Sequence, residues 1–198
     1  MKLLGVSGGL SRKTLIAIKK ALDSAKRYDS TVETEAISLN EYDIQFCDAR
    51  APDKYEGDAR LVIDKFVEAD ALLLGTPMYR GTYTGLLKNM FDLIPNDALL
   101  GKPVGMIATG GSDHHYLALE HEMKPLLGFF YVHVIPGSVY ANNSHYSESD
   151  LVDEGVLEQL DQLGRAIVNF ARIIPDDKLS IVGPLGPSIQ RKSLKKPG

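Results

Sequence analysis

One segment of this 198-residue chain combines a buried strand with a loop suited to ligand binding. Residues 71–74 are Ala-Leu-Leu-Leu, and the loop behind them contains Pro77, Met78, Tyr79 and Arg80. An open α/β sheet binds ligands outside the carboxyl ends of its strands, which is where this loop would lie. Pro77 fixes the local backbone, while Met78 and Tyr79 could pack on a planar ring system. Ordinary half-buried side chains are the alternative for the tyrosines of this loop.

A second segment, behind the apolar run at residues 3–6, has the composition of a phosphate site. It combines hydroxyls, glycine amides and positive charge, supplied by Ser7, Gly8, Gly9, Ser11, Arg12, Lys13 and Thr14. A predicted helix begins at once behind it, and a helix N-terminus attracts anions. Neither the dinucleotide pattern G-x-G-x-x-G nor a P-loop ending in G-K-[ST] is present. A capped strand-to-helix turn with two solvated cations is the alternative.

A third segment, Thr109-Gly110-Gly111, ends the apolar run at residues 104–109. Its glycine amides could bond the carbonyls of a heterocycle and stabilise negative charge on it. Taken alone, it is better explained as a tight strand-to-helix turn. Three such segments at the ends of three strands are stronger evidence for a shared binding crevice than any one of them.

Composition and charge argue against several other functions. The chain has 22 basic and 26 acidic residues, a net charge of −4, and so no broad positive field for nucleic acid. Cys47 is the only cysteine, which excludes an intrachain disulfide or a cysteine-rich metal cluster. His114, His115 and His121 show no recognised ligand spacing, so we expect no metal site. The start lacks a signal peptide and no apolar stretch approaches membrane-spanning length, so we expect a cytoplasmic protein.

Strand and helix patterns alternate along the chain. Strands are predicted at residues 3–6, 32–39, 71–75, 104–109 and 131–135. Helices are predicted at residues 15–25, 61–69, 84–94, 115–130 and 156–170, the third capped by Thr84. This alternation predicts an α/β fold: a flavodoxin-like, doubly wound, five-stranded parallel sheet of order 2-1-3-4-5 with helices on both faces. We assign residues 1–175 to that domain and residues 176–198 to a C-terminal tail that is extended or disordered.

At the three loops the sequence resembles the NAD(P)H-dependent FMN reductase family of flavodoxin-like enzymes. The resemblance rests on three runs: Val6-Ser7-Gly8-Gly9-Leu10-Ser11-Arg12-Lys13-Thr14, Gly75-Thr76-Pro77-Met78-Tyr79-Arg80-Gly81-Thr82-Tyr83-Thr84-Gly85-Leu86-Leu87-Lys88, and Ala108-Thr109-Gly110-Gly111. It continues through residues 118–127 and covers roughly residues 1–172. It looks closest to the sulfonate-utilisation branch, whose reductases supply reduced FMN to a separate monooxygenase.

The resemblance implies a role for each matching residue. The FMN phosphate would be held by Ser7, Ser11, Arg12, Lys13 and Thr14. The isoalloxazine would be bordered by Pro77, Met78, Tyr79 and Arg80, and its pyrimidine edge would meet Thr109, Gly110 and Gly111. Hydride would pass from NADPH or NADH to the flavin, so no catalytic side chain and no metal are expected.

The resemblance therefore predicts an NAD(P)H:FMN oxidoreductase that supplies reduced flavin to a partner monooxygenase. Two alternatives share the fold. A quinone or azo-dye reductase would keep FMN bound throughout, and a flavodoxin-type electron carrier would not oxidise nicotinamide itself. A net charge of −4 lacks the strong acidity that would favour the carrier.

The same resemblance implies how subunits would assemble. The third helix, behind Thr84, would lie at the interface of a homodimer or homotetramer. In the related branch the stretch matching residues 115–130 can carry a π-type bulge at the subunit interface near the flavin, with Tyr or His at the position of His121. Pro125 removes one backbone hydrogen bond in this stretch and should distort the turn before it. A surface histidine beside a proline kink is the alternative.

Overall fold

Parallel strands form the centre of the computed structural model, which describes residues 1–112, 115–148 and 150–186. The strands lie in the order β2-β1-β3-β4-β5, and each neighbouring pair is parallel. Their bounds are β1 Lys2–Ser7, β2 Glu33–Ser38, β3 Ala71–Pro77, β4 Pro103–Gly110 and β5 His133–Val134. The predicted α/β fold and flavodoxin-like strand order are confirmed.

Helices cover both faces of the sheet, as predicted. They are α1 Arg12–Tyr28, α2 Gly57–Glu68, α3 Gly85–Leu93, α4 Lys124–Phe129 and α5 Glu154–Ile173. Helices α1 and α5 pack with strand residues such as Leu3 and Leu73. Helices α2 and α3 pack on the other face with Leu4 and Leu72. Because both faces are covered, the central strands are apolar at nearly every position, which made them recognisable in the sequence.

The edge of the sheet beyond β4 differs from the prediction. Instead of one strand at residues 131–135, the structure has the two-residue β5 and a further strand, β6, at Val139–Asn142. Both strands pair in parallel with β4. Pro136 lacks a backbone N–H and Gly137 has a φ of 85°, so the edge is interrupted between the two pieces. The second piece extends the edge to the carboxyl end of β4.

The helix predicted at residues 115–130 is shorter and irregular. Residues Leu119–Met123 form a π-helix, and α4 follows directly. The π-type turn implied for this stretch is therefore present, and the exposed side chain of His121 lies within it. Pro125 lies where the π-helix runs directly into α4, so the irregular turn stands just before it, as predicted from the hydrogen bond that a proline removes. His114 lies outside the described residues.

A hairpin, a long helix and a short 3-10 helix follow β6 in the described part of the chain. A hairpin of β7 Tyr146–Ser147 and β8 Asp150–Leu151 precedes α5, and a 3-10 helix at Lys178–Ile181 follows it. The basic end of the predicted tail falls in residues 187–198, which lie outside the described residues. The domain boundary at residue 175 stays a prediction. Across the described ranges, no helix is long and apolar enough to cross a membrane.

Candidate functional site

The carboxyl ends of β1, β3 and β4 lie side by side, because these strands are neighbours in a parallel sheet. Ser7 pairs with Gly75, and Pro77 pairs with Thr109, so the loops behind the strands begin at similar levels. We name them the first turn (residues 8–11), the second turn (residues 78–84) and the third turn (residues 110–112). The structure thus brings together all three segments that the sequence singles out.

Positive charge gathers at the first turn. Ser11 caps α1, and its side chain accepts the N–H of Lys13 at 3.3 Å. The start of α1 has no acidic residue to offset the partial positive charge of the helix end. In the part of the chain that the structure describes, the exposed Arg12 guanidinium makes no hydrogen bond or ion pair. Lys13 Nζ donates to Asn143 Oδ1 at 2.8 Å. This set of donors suits a phosphate group.

Two hydroxyls of the predicted phosphate set are buried beneath the turn. Ser7 is fully buried, and among the described residues its Oγ has no hydrogen-bond partner. A buried hydroxyl without a partner costs about 1–3 kcal/mol, so Ser7 is a group that a bound ligand or water would satisfy. Thr14 is also fully buried, but its Oγ1 lies 2.6 Å from Oγ1 of Thr109. That hydrogen bond joins the start of α1 to the end of β4.

The second turn faces the core on one side and solvent on the other. Pro77 and Met78 are buried, whereas Tyr79 and Arg80 are exposed. The backbones of Tyr79 and Thr82 hydrogen-bond to each other in both directions, at 2.9 and 3.2 Å. Arg80 and the glycine behind it have φ values of 56° and 87°, the conformation of a tight hairpin turn. This hairpin carries the exposed Tyr79 in the turn after β3, the strand that lies between β1 and β4.

Thr84 links the first two turns. Its Oγ1 accepts the N–H of Leu87 at 3.1 Å, which makes it the N-cap of α3, as predicted. The same hydroxyl donates to the carbonyl of Gly8, and the N–H of Thr84 donates to Thr76 Oγ1 at 3.2 Å. The sequence pattern identifies the cap, but it contains no signal for the hydrogen bond to a residue 76 positions away.

Backbone contacts fix the same three turns. Gly8 N–H donates to the carbonyl of Gly75 at 2.7 Å, and Met78 N–H donates to the carbonyl of Thr109 at 2.8 Å. A Cβ added to Gly9 would lie 2.4 Å from Cγ of Pro77, so only glycine lets the first turn rest against β3. The turns are therefore held in place by the protein itself, which is the preorganisation that a binding site needs.

The third turn is the most open of the three. Thr109 is buried, Gly110 is half-buried and Gly111 is exposed. Sequence reasoning missed its neighbours, which come from β6 and the 3-10 helix Asn143–His145 behind it. Tyr140 donates from its hydroxyl to the carbonyl of Ser112 at 2.6 Å. The available signal was the short alternating run at residues 139–141 behind a Pro-Gly step.

Burial favours the neutral form of two tyrosines near the turns. Burial raises the pKa of Tyr146 far above its usual range, and its neutral hydroxyl donates to the carbonyl of Lys13 at 3.0 Å. Burial likewise raises the pKa of Tyr83 in the second turn. A carboxylate does reach this region, because Thr82 Oγ1 donates to Glu122 at 3.4 Å. No group of three or more His, Cys, Asp or Glu side chains within the described ranges is placed to hold a metal ion.

Known proteins match this chain along most of its length. A family model described as NADPH-dependent FMN reductase matches residues 1–146. An NAD(P)H-dependent FAD/FMN reductase of Geobacillus thermodenitrificans is 43% identical over 172 residues, which cover 86% of this chain and 93% of that protein. The NADH-dependent FMN reductase SfnF of Pseudomonas putida is 36% identical over 121 residues, 61% of this chain and 65% of that protein.

A solved structure agrees with these sequence matches. The apo form of the NADH:FMN oxidoreductase EMOB is similar with a TM-score of 0.74 and 29% identity, covering 98% of this chain and 99% of that chain. The family match spans the three turns and the strands that position them. The chain therefore belongs to the NADPH-dependent FMN reductase family of oxidoreductases, which use FMN and NAD(P)H.

Proposed function

We propose that the chain reduces FMN in the crevice formed by the three turns and releases the reduced flavin to a partner monooxygenase. The observation that carries the proposal is the set of hydrogen bonds joining the turns, Thr14 to Thr109 and Thr84 to Gly8. These bonds fix turns that carry, at the carboxyl end of the sheet, the exposed Tyr79, the exposed Gly111 and Arg12, whose guanidinium has no partner among the described residues. When bound there, FMN supplies the hydride acceptor and nicotinamide the hydride.

The phosphate would lie at the start of α1. Ser11, Arg12 and Lys13 have exposed surface there and would contact the phosphate directly, together with backbone N–H groups of the first turn. Ser7 and Thr14 are fully buried and would support the turn from beneath. Of these two buried hydroxyls, that of Thr14 is paired with Thr109, and that of Ser7 lacks a hydrogen-bond partner among the described residues.

The ring system would lie between the second and third turns. Its borders would be formed by Pro77, Met78, Tyr79 and Arg80 on one side, and by Thr109, Gly110 and Gly111 on the other. Amides at Gly110 and Gly111 would bond the pyrimidine edge and stabilise negative charge as the ring is reduced. The protein's task is then to orient the rings and fix the local charge, without a side-chain acid or base.

Release of reduced flavin is supported by the openness of this edge. Tyr79 is 51% exposed and Gly111 is exposed, so a ring placed between them would remain in contact with solvent. The resemblance of the turns to the sulfonate-utilisation branch supports a monooxygenase as the recipient. A quinone or azo-dye reductase, which would retain its flavin, is the enzyme alternative.

Steady-state kinetics test the activity. We expect the rate of NADPH or NADH oxidation to rise and saturate with added FMN. Under argon, ferricytochrome c held behind a dialysis membrane that passes FMN should also be reduced, because reduced flavin leaves the enzyme. Turnover with quinone that ignores added FMN would favour the retained-flavin alternative. Failure of the protein to bind flavin would reject the proposal as a whole.

Comparison of two flavins tests the phosphate site. FMN should bind more than tenfold more tightly than riboflavin, because charge-assisted hydrogen bonds contribute roughly 1.5–3 kcal/mol each. Equal dissociation constants for the two flavins would reject the placement of the phosphate at the first turn.

We also propose a homodimer or homotetramer in which α3 lies at a subunit interface and His121 faces a neighbouring subunit. The exposed position of His121 in the π-helix supports this arrangement. A His121→Ala variant should then change the oligomeric mass and the retention of FMN more than the rate of hydride transfer. Unchanged mass in sedimentation together with unchanged FMN affinity would leave His121 as a surface residue.

A further inference from the structure

Tyr140 is held against the third turn by two independent contacts. It lies in β6, paired with Ala108 of β4, and its hydroxyl donates to the carbonyl of Ser112 at 2.6 Å. A Cβ built on Gly110 would lie 2.0 Å from that hydroxyl oxygen and 3.0 Å from the ring carbon that bears it. The tyrosine therefore closes over Gly110 and fixes the backbone two residues further on.

Position 110 requires glycine because Tyr140 leaves no room for a side chain there. Gly110 does not have a positive φ, so its backbone conformation would accept other residues. What excludes a side chain is the space filled by the Tyr140 hydroxyl. Gly111 differs, because a Cβ there would meet no atom closer than Nδ2 of Asn143 at 4.0 Å. One side of the third turn is thus packed against Tyr140, and the other side is open.

We propose that Tyr140 is a positioning residue for flavin reduction, which fixes the Gly110 and Gly111 amides against the pyrimidine edge of the ring. The inference rests on the proposed function, since it assigns those amides to the flavin. A hydrogen bond that restrains the Ser112 carbonyl also restrains the peptide units before it. The amides then meet the developing negative charge without a cost of reorganisation. Tyr140 acts through the turn and needs no contact with the flavin.

Three variants and one matched control test the assignment. Tyr140→Phe removes only the hydroxyl, and Gly110→Ala inserts the Cβ that the hydroxyl excludes. The double variant combines them. Tyr131→Phe is the control, because Tyr131 Oη makes a comparable bond to the N–H of Gly186 at 2.6 Å, at the opposite end of the sheet. Circular dichroism confirms folding, and titration gives dissociation constants for oxidised and for reduced FMN.

Tyr140→Phe should weaken oxidised FMN binding between about twofold and tenfold, the range of one neutral hydrogen bond. Reduced FMN should lose more affinity than oxidised FMN, because it carries the negative charge. Gly110→Ala should lose more than tenfold, and the double variant should recover part of that loss, since the closest atom is then the ring carbon at 3.0 Å. Tyr131→Phe should match the wild type for both flavin forms.

Three results would overturn the assignment. They are unchanged affinities in Tyr140→Phe, equal losses for the two redox forms, or a double variant no better than Gly110→Ala. If Gly110→Ala does not fold, the ratio of the two affinities in Tyr140→Phe decides alone. If the wild type binds FMN and the FMN affinities of Tyr140→Phe are unchanged, only this inference is rejected. Wild-type protein that does not bind FMN rejects the proposed function, and this inference with it.

Discussion

The carboxyl and amino ends of the sheet differ in whether their basic side chains form ion pairs. At the carboxyl end, Arg12 and Arg80 are exposed, and in the part of the chain that the structure describes neither guanidinium forms an ion pair. At the amino end, Lys2 pairs with Glu68 at 3.3 Å and Lys65 pairs with Glu35 at 2.5 Å. A groove of about 230 Å³ between β1, β2 and α2 is lined by these paired charges. Within the described residues, two arginines are therefore left without an ion pair at the carboxyl end, whereas Lys2 and Lys65 are paired with carboxylates at the amino end.

Buried polar groups show the same contrast. At the carboxyl end, threonine hydroxyls tie one turn to the next, as Thr84 does for the first and second turns. At the amino end, Lys102 is buried and its Nζ donates to the carbonyls of Phe66 and Val67 at 3.0 and 2.7 Å, closing the end of α2. Buried polar groups thus join two turns at one end of the sheet and close the end of a helix at the other. Substitutions at the two ends should therefore separate flavin affinity from stability.

The largest effect is expected at Thr84, because this residue should affect both FMN affinity and stability. Thr84→Val removes the cap of α3 and leaves the Gly8 carbonyl without its donor. We expect a loss of about 2–4 kcal/mol in the free energy of unfolding and more than a tenfold loss in FMN affinity. Urea denaturation and flavin titration measure the two quantities.

Thr84→Ser is the matched control, because it keeps the hydroxyl and loses only a methyl group. It should retain most of the FMN affinity. Equal losses in both variants would show that the methyl group, and not the link to Gly8, matters at this position.

Lys102 should affect stability in a pH-dependent manner, without affecting flavin binding. Burial, with a smaller effect of Lys178, lowers the pKa of Lys102 from 10.5 to about 8. The unfolded chain therefore binds the proton more tightly, and the cost of burying the charge is fully present below pH 8. Between about pH 8 and 10.5 this cost disappears, so the free energy of unfolding should rise by up to roughly 3 kcal/mol relative to Lys102→Met.

Urea denaturation of wild type and Lys102→Met at pH 7.5, 9 and 10 measures this difference. Titrations elsewhere in the chain, such as that of Tyr146, cancel in the comparison. Parallel stability curves for the two proteins would contradict a depressed pKa. FMN affinity at pH 7.5 should be the same in both.

Arg12 should affect FMN binding with little effect on stability, the reverse of Lys102. Arg12→Ala should weaken FMN binding about tenfold or more, the contribution of one charge-assisted hydrogen bond, and leave riboflavin binding unchanged. Stability should change little, because the guanidinium is exposed. Equal losses for the two flavins would show that Arg12 does not contact the phosphate. Isothermal titration with each flavin distinguishes the outcomes.

The smallest effect is expected for the ion pairs at the amino end. Lys65→Ala breaks the pair with Glu35, which lies at the surface and should contribute about 0–1 kcal/mol. FMN affinity should not change. A loss of flavin binding in this variant would contradict the expectation that substitutions at the amino end leave FMN affinity unchanged.

The sequence predicted the elements that repeat a simple pattern and missed those set by distant contacts. Apolar runs located β1, β3 and β4, because these central strands are buried on both faces of the sheet, and helical spacing located the long helices. The edge strand β2 was recognisable from its partly alternating, β-rich pattern. Pro136 and Gly137 split the fifth strand, which a propensity pattern over residues 131–135 did not reveal.

In the candidate site, too, local patterns were predictable from the sequence and contacts between distant residues were not. The turns were recognisable from glycines and hydroxyls next to strand ends, and the N-cap role of Thr84 from the helix behind it. The bond from Thr84 to Gly8, the hydroxyl pair of Thr14 and Thr109, and the contact of Tyr140 with Ser112 join residues far apart in the sequence. One sequence carries no signal for such pairs, because each depends on the folded sheet.

Hydrogen–deuterium exchange with and without FMN tests the central claim most directly, since it compares both ends of the sheet in one experiment. Saturating FMN should slow exchange in residues 7–14, 76–84 and 109–112, whose amides lie at or beside the three turns. Exchange in residues 65–69, 101–104 and 131–134, at the amino end, should not change. Protection confined to the amino end, or spread evenly over both ends, would contradict the account.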